Sequence, residues 1–159
     1  HKDFAEYIAA KENIFTHQCA QDVAVFNADN SITAQQAERA QGRARLFSRK
    51  NEVEDGVFLR DGKIVARHDG QERVVMTRED IRLPGEHNVE NYLAAIAAVD
   101  GMVSDEQIAA FARSFGGVEH RIELIRTLDG VRWYNDSIAS SPRSPGFPGE
   151  GDPYRRRKG

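Results

Sequence analysis

The octet Asp22-Val-Ala-Val-Phe-Asn-Ala-Asp29 decides the fold. Val23 through Phe26 are apolar without a break, which reads as a buried strand. The run then exits into Asn27, Asp29 and Asn30, a polar edge of the kind that sits beside ligands at the C-terminal side of an α/β sheet. Upstream, residues 3–15 place Phe4, Tyr7, Ile8, Ile14 and Phe15 at helical spacing, with Asp3 as the cap and Glu6 as its capping-box partner. Downstream, Ser31 is a candidate cap for a helix from Ile32 to Gln41, and Ala44 to Ser48 is a second strand.

Between Gly56 and Ile81 the period changes. Val57-Phe-Leu-Arg60 and Lys63-Ile-Val-Ala66 flank Asp61-Gly62, a pair suited to a type I′ hairpin turn, and Arg73-Val-Val-Met76 continues the antiparallel pattern. Helical sequence returns over Asn88–Val99 and again after Ser104, whose first turn carries Asp105, Glu106 and Gln107 and whose end is marked by Gly116-Gly117. Ile122 to Arg126 and Val131 to Tyr134 bracket a further Asp129-Gly130 turn. The expected fold class is α/β with a small antiparallel β insertion near residues 56–82.

Composition narrows the function classes. The chain has 159 residues, 40% hydrophobic and 30% charged, with a formal net charge of -3, so it lacks the basic field of a general nucleic-acid binder. A lone cysteine, Cys19, excludes an internal disulfide and suits a reducing, cytoplasmic setting. No apolar run approaches the ~18 residues of a membrane span, and the opening residues do not read as a signal peptide. The first residue is His1 rather than Met, so the natural N-terminus is expected to lie upstream.

Three stretches could carry chemistry. Trp133-Tyr-Asn-Asp-Ser-Ile-Ala-Ser-Ser141 runs from a strand into small polar side chains, either a ligand edge or a polar turn with capping Asp and Ser. Gly85-Glu-His-Asn-Val-Glu-Asn91 opens a helix, and His87, Asn88 and Asn91 share one face near its N-terminus, where free N–H donors attract phosphate or carbonyl groups. The alternative there is an Asn cap with a surface histidine. His120-Arg121-Ile-Glu123 puts an imidazole and a guanidinium, suited to two oxygens of a phosphate or carboxylate, ahead of a strand. Lys11, after Ala9-Ala10, would by itself read as a solvated lysine. No Cys/His spacing reads as zinc, and no Gly-x-x-x-x-Gly-Lys-[Ser/Thr] loop is present.

From Pro142 the character breaks, with Pro142, Pro145, Pro148 and Pro153 crowded together and a basic run from Arg155 to Lys158. Such a segment should not form a core. A basic tail for an acidic partner and a disordered terminus are both open readings. The favoured one is a shift of reading frame, because codons displaced by one nucleotide can spell a Val-Ile-Leu-Ile-Ala strand followed by Gly-Gly.

Taken in order, Tyr7-Ile-Ala-Ala-Lys11, Val25-Phe-Asn-Ala-Asp29, the Gly85–Asn91 stretch, Phe115-Gly-Gly-Val-Glu-His-Arg-Ile-Glu123 and Tyr134-Asn-Asp-Ser137 resemble the Mur ligase family over residues 1–142. The Asn-Asp-Ser-x-Ala element is similar to the member that adds D-glutamate to UDP-N-acetylmuramoyl-L-alanine in peptidoglycan synthesis. The resemblance implies a cytoplasmic, monomeric ATP- and Mg²⁺-dependent ligase that acts through an acyl phosphate. It implies that Lys11 is carbamylated and binds Mg²⁺, that Asn88, Asn91, Arg121 and Asp136 bind nucleotide, that His120 and Arg121 serve catalysis, and that Ser137 and Ser140 meet the amino acid. Ile138 stands where lysine is common in the family, and Ser140 where threonine is. The expected domains are 1–117, the C-terminal part of the ATP-binding central domain; 118–141, a linker and first hairpin of the next domain; and 142–159, an aberrant tail. With no phosphate loop, the 159 residues alone are expected to be inactive. A folylpolyglutamate synthase-like ligase and a non-catalytic nucleotide-binding remnant are the competing readings.

Overall fold

Residues 3–118 and 123–135 are described by the computed structural model. Helix α1 (Phe4–Thr16) starts where expected, its cap Asp3 accepting a hydrogen bond from the Glu6 amide at 2.8 Å. It leads into β1 (Val23–Asn27), then α2 (Ser31–Ala37) and β2 (Arg43–Ser48). Asn30, rather than Ser31, caps α2, because its Oδ1 accepts from both Ile32 N (3.0 Å) and Thr33 N (3.3 Å). The helix stops well short of Gln41. The chain must turn at Gly42, whose added Cβ would sit 2.6 Å from the Asp22 carbonyl, so that Arg43 N can donate to that same oxygen at 2.8 Å.

β1 and β2 pair in parallel, and β2 pairs in parallel with β3 (Gly56–Arg60). The antiparallel strands β4 (Lys63–His68) and β5 (Gln71–Thr77) complete one five-stranded sheet in the order β1-β2-β3-β4-β5. The antiparallel insertion is therefore an extension of the α/β sheet, joined to it through the parallel β2–β3 pair. β1 differs from its sequence reading. It is an edge strand with alternating burial, Ala24 and Phe26 covered and Val23 exposed. Phe15 of α1 packs edge-on against Phe26, ring centroids 5.2 Å apart, while Val25 on the opposite face is partly buried against the cluster that holds α3.

Helices α3 (Glu86–Val99) and α4 (Asp105–Ser114) lie on one face of the sheet, α3 over β1–β3 and α4 over β5. Leu93, Ile96 and Ala97 of α3, Ala112 of α4, and Val57 and Ile64 of the sheet are all essentially fully buried there. Ser104 and Gln107 form the capping box that starts α4. A separate two-stranded sheet, β6 (Glu123–Leu128) with β7 (Val131–Asn135), turns at Asp129-Gly130, both at positive φ. Among the described residues no helix is long and apolar enough to cross a membrane.

The other face of β3–β4 is covered by ion pairs. Phe58 is fully buried beneath the guanidinium groups of Arg60 and Arg67, 5.5 and 4.8 Å from its ring centroid. Both arginines hold Glu72, Arg60 Nη2 at 2.6 Å and Arg67 Nε at 2.8 Å. Hydrogen bonds from Arg60, then Arg67, lower the Glu72 carboxyl from 4.5 to about 2. A folded-state value below the unfolded one means stability that is present above pH 4.5 and lost as pH falls toward about 2. Glu72→Gln should flatten the acid limb of the thermal-midpoint profile in that window. An unchanged limb would show that the arginines do not favour the ionised carboxylate.

Candidate functional site

The N-terminus of α3 is built by a glycine. Gly85 is the cap residue at φ +99°, and no side chain caps the helix. A Cβ at Gly85 would lie 2.7 Å from His87 Cε1, so the missing side chain makes room for the imidazole, which lies against the backbone. Asn88 Nδ2 donates to the Pro84 carbonyl at 2.6 Å, fixing the side chain beside the helix start. His87, Asn88 and Asn91 line one cavity of about 320 Å³. Helical spacing explains their convergence, since positions three and four apart share a face.

The opposite wall comes from α4 and the loop after it. Phe111 and Phe115 stack with centroids 4.9 Å apart and an interplanar angle of 20°. Gly116 and Gly117 follow, Gly117 at φ +105°, so the chain leaves α4 by turning along the cavity mouth. Apolar walls with carboxamides at one side suit a planar heterocycle, because an amide offers both a donor and an acceptor to a ring edge. The volume falls at the lower end of the ~300–1,000 Å³ usual for small-molecule sites, which is room for a ring system.

The structure brings Asn88 and Asn91 together with His87, as their spacing predicts. Lys11 does not line this cavity. It is exposed on α1 with its Nζ 5.5 Å from the Tyr7 ring centroid. His120, Arg121, Asp136, Ser137 and Ser140 lie outside the described residues. Among the described residues no group of three His, Cys, Asp or Glu side chains could hold a metal. Phe111 and Phe115 line the cavity too, a place the sequence reading does not give them. Their signal was an i, i+4 aromatic pair directly before Gly-Gly, on a helix whose buried face is built from alanines and Ile108.

A polar network joins the strand exits to this helix. Ser48, fully buried, donates from Oγ to Asp29 Oδ1 at 2.5 Å and accepts from Lys50 N and Asn51 N. The other Asp29 oxygen accepts from Arg49 N at 2.8 Å. The polar exit Asn27–Asn30 thus organises the neighbouring strand end, and Asn27 Oδ1 itself accepts from Asp29 N.

Comparisons with known proteins agree with one another. Residues 1–99 match the family described as the Mur ligase middle domain. The chain is 50% identical over 142 residues to a UDP-N-acetylmuramoylalanine--D-glutamate ligase of Acetivibrio thermocellus, covering 89% of this chain and 30% of that protein. A protein of the same name from Clostridium novyi shows the same identity and coverage. The chain therefore spans about 30% of the length of these relatives. Among solved structures, MurF from Acinetobacter baumannii aligns with a TM-score of 0.62 at 24% identity, covering 83% of this chain and 29% of that one. The murein peptide ligase Mpl from Psychrobacter arcticus aligns with a TM-score of 0.57 at 17% identity, covering 86% of this chain and 29% of that one. At such identities these two speak for the fold alone.

Proposed function

Because this chain belongs to the Mur ligase family, we propose that it is a segment of the cytoplasmic ligase that joins D-glutamate to UDP-N-acetylmuramoyl-L-alanine at the expense of ATP. One observation carries the nucleotide part of this reading: Asn88 and Asn91 face a cavity walled by the Phe111–Phe115 stack, at the amino end of α3. The relatives' shared name carries the substrate part.

In this reading the base of ATP enters the cavity, and the carboxamides of Asn88 and Asn91 meet its edge. The substrate carboxylate attacks the γ-phosphorus of ATP, giving an acyl phosphate and ADP. The amino group of D-glutamate then attacks the acyl carbon, forming the amide, expelling phosphate and losing a proton. Mg²⁺ would offset the charge of the phosphates. The described residues do not make a metal site by themselves, and Lys11 would add one oxygen ligand once carbamylated. His120, Arg121 and Asp136 are proposed to close over the nucleotide, and Ser137 and Ser140 to meet the amino acid. Residues 1–117 would belong to the ATP-binding domain, 118–141 to the bridge and hairpin of the next, and 142–159 to neither. Without a phosphate-cradling loop, residues 1–159 alone should not turn over, since positioning supplies most of phosphoryl-transfer catalysis.

The test is a chimera in which residues 1–142 replace the matching segment of the Acetivibrio thermocellus relative. Phosphate release should require both UDP-N-acetylmuramoyl-L-alanine and D-glutamate. Asn88→Ala combined with Asn91→Ala should raise KM for ATP about tenfold or more, the value of roughly one or two lost hydrogen bonds. A folded chimera that accepts L-glutamate or a folate instead would overturn the substrate assignment. An unchanged KM would remove the asparagines from the nucleotide site.

A further inference from the structure

Arg49, at the exit of β2, spans to the first turns of α3. Its Nη1 lies 2.7 Å from Glu86 Oε2 and its Nε donates to Glu90 Oε1 at 3.1 Å. The guanidinium is mostly covered, with its side chain 21% exposed, and its own backbone amide is held by Asp29, which Ser48 holds in turn. The anchor is therefore rigid before it reaches the helix. Glu86 and Glu90 stand one turn apart on α3, while Asn88 and Asn91 lie on the side that faces the cavity.

Two consequences follow for the helix start. It has no side-chain cap, so the grip on Glu86, its first residue, and on Glu90 supplies the restraint a cap would give. Two carboxylates in the opening turns would also oppose the attraction of this helix end for an anion. The guanidinium they share offsets one of those two charges.

We infer that Arg49 is a positioning residue of the nucleotide site: it pins the opening turns of α3 from behind and offsets one of the two negative charges of Glu86 and Glu90, so that Asn88 and Asn91 meet an anionic nucleotide. This rests on the nucleotide reading of the cavity given above. Arg49 touches no nucleotide in this account and acts only through the helix.

The experiment uses the 159-residue chain, with ADP as the probe and the backbone and side-chain amides of residues 86–95 followed by ¹⁵N NMR, together with amide hydrogen exchange of the same segment. Arg49→Ala should weaken ADP binding about fivefold or more and raise exchange at residues 86–91, with the exchange of β3–β5 unchanged. Arg49→Lys should restore part of the affinity, since it returns the charge but not the fork. The diagnostic variant is Arg49→Ala with Glu86→Gln and Glu90→Gln. A charge role predicts that ADP affinity recovers even though the latch is gone, whereas a purely structural role predicts no recovery. Wild-type affinity in Arg49→Ala overturns the inference. Failure of wild type to shift at Asn88 or Asn91 with ADP overturns the nucleotide reading instead. The latch is then decided by exchange alone, where unaltered protection at residues 86–91 in Arg49→Ala would sink it.

Discussion

Gly56→Ala is expected to destabilise the chain by more than about 3 kcal/mol, a large share of the 5–15 kcal/mol that holds a domain together. The reason is backbone against backbone. Gly56 pairs with Leu46 where β3 enters the sheet beside β2, and its φ is +143°, a region L side chains rarely adopt. An alanine Cβ there would stand 1.8 Å from the Leu46 carbonyl oxygen and 2.7 Å from its carbon. No rotamer change relieves that contact, because neither partner is a side chain. The parallel β2–β3 pair must part, and the hydrogen bond from Leu46 N to Asp55 O (3.1 Å) goes with it. Gly70→Ala is the control. It has φ +76° but nothing within 4 Å of the added carbon, so it should cost only about 1 kcal/mol for the backbone region. Urea unfolding of the two variants separates steric exclusion from conformational preference. If Gly56→Ala lost no more than Gly70→Ala, the close approach of the strands would not be a constraint on the fold.

The importance of Gly56 was not legible in the sequence, and the contrast with other elements shows why. Asp61-Gly62 and Asp129-Gly130 announced hairpins because turn chemistry is local, and both pairs adopt positive φ. Asp69-Gly70 does the same between β4 and β5, though no turn was assigned there in advance. Gly56 follows an aspartate too, but what makes it obligatory is Leu46, a neighbour across the sheet that only the parallel pairing reveals. Parallel partners leave no turn between them to read. The same limit hid the edge position of β1, whose apolar run gives no sign that Val23 stands exposed at its start.

The candidate site divides along the same line. His87, Asn88 and Asn91 share a face by helical period alone, so their convergence could be read from spacing. Phe111 and Phe115 could not be joined to them, because the wall exists only once α4 packs beside α3 over β5. The Asp29–Ser48–Arg49 chain shows a third case. Asp29 was visible as a polar strand exit, but its partners sit on β2 and just beyond it, and the reach to Glu86 and Glu90 needs the whole sheet. Residue types that carry chemistry were legible; the neighbours that orient them were not.

Asp100→Ala is the second large effect, at about 3–5 kcal/mol, the usual cost of stranding a buried charge. Asp100 ends α3 and its side chain is 11% exposed; Arg45 on β2 faces it at 2.8 Å and is 10% exposed. Arg73 of β5 binds the other Asp100 oxygen and reaches on to Asp105 at the start of α4, 3.0 Å away. Asp100 therefore ties two strands to the end of α3, and Arg73 carries the link on to Asp105 of α4. Burial pushes its pKa up, but the hydrogen bond from Arg73 and the charges of Arg73, Arg45 and His68 outweigh that, leaving it below the ordinary carboxylate value. With Asp100 gone, Arg45 keeps only a 3.3 Å bond to the Ala97 carbonyl, and its Nε already lacks a partner among the described residues. The loss should thus come mainly from the orphaned guanidinium. Arg45→Leu combined with Asp100→Ala should consequently be more stable than Asp100→Ala alone, by about 1–3 kcal/mol. Calorimetry of the single and double variants decides it. If the two losses simply add, the aspartate would be acting as the end of α3 and not as the counter-charge of Arg45.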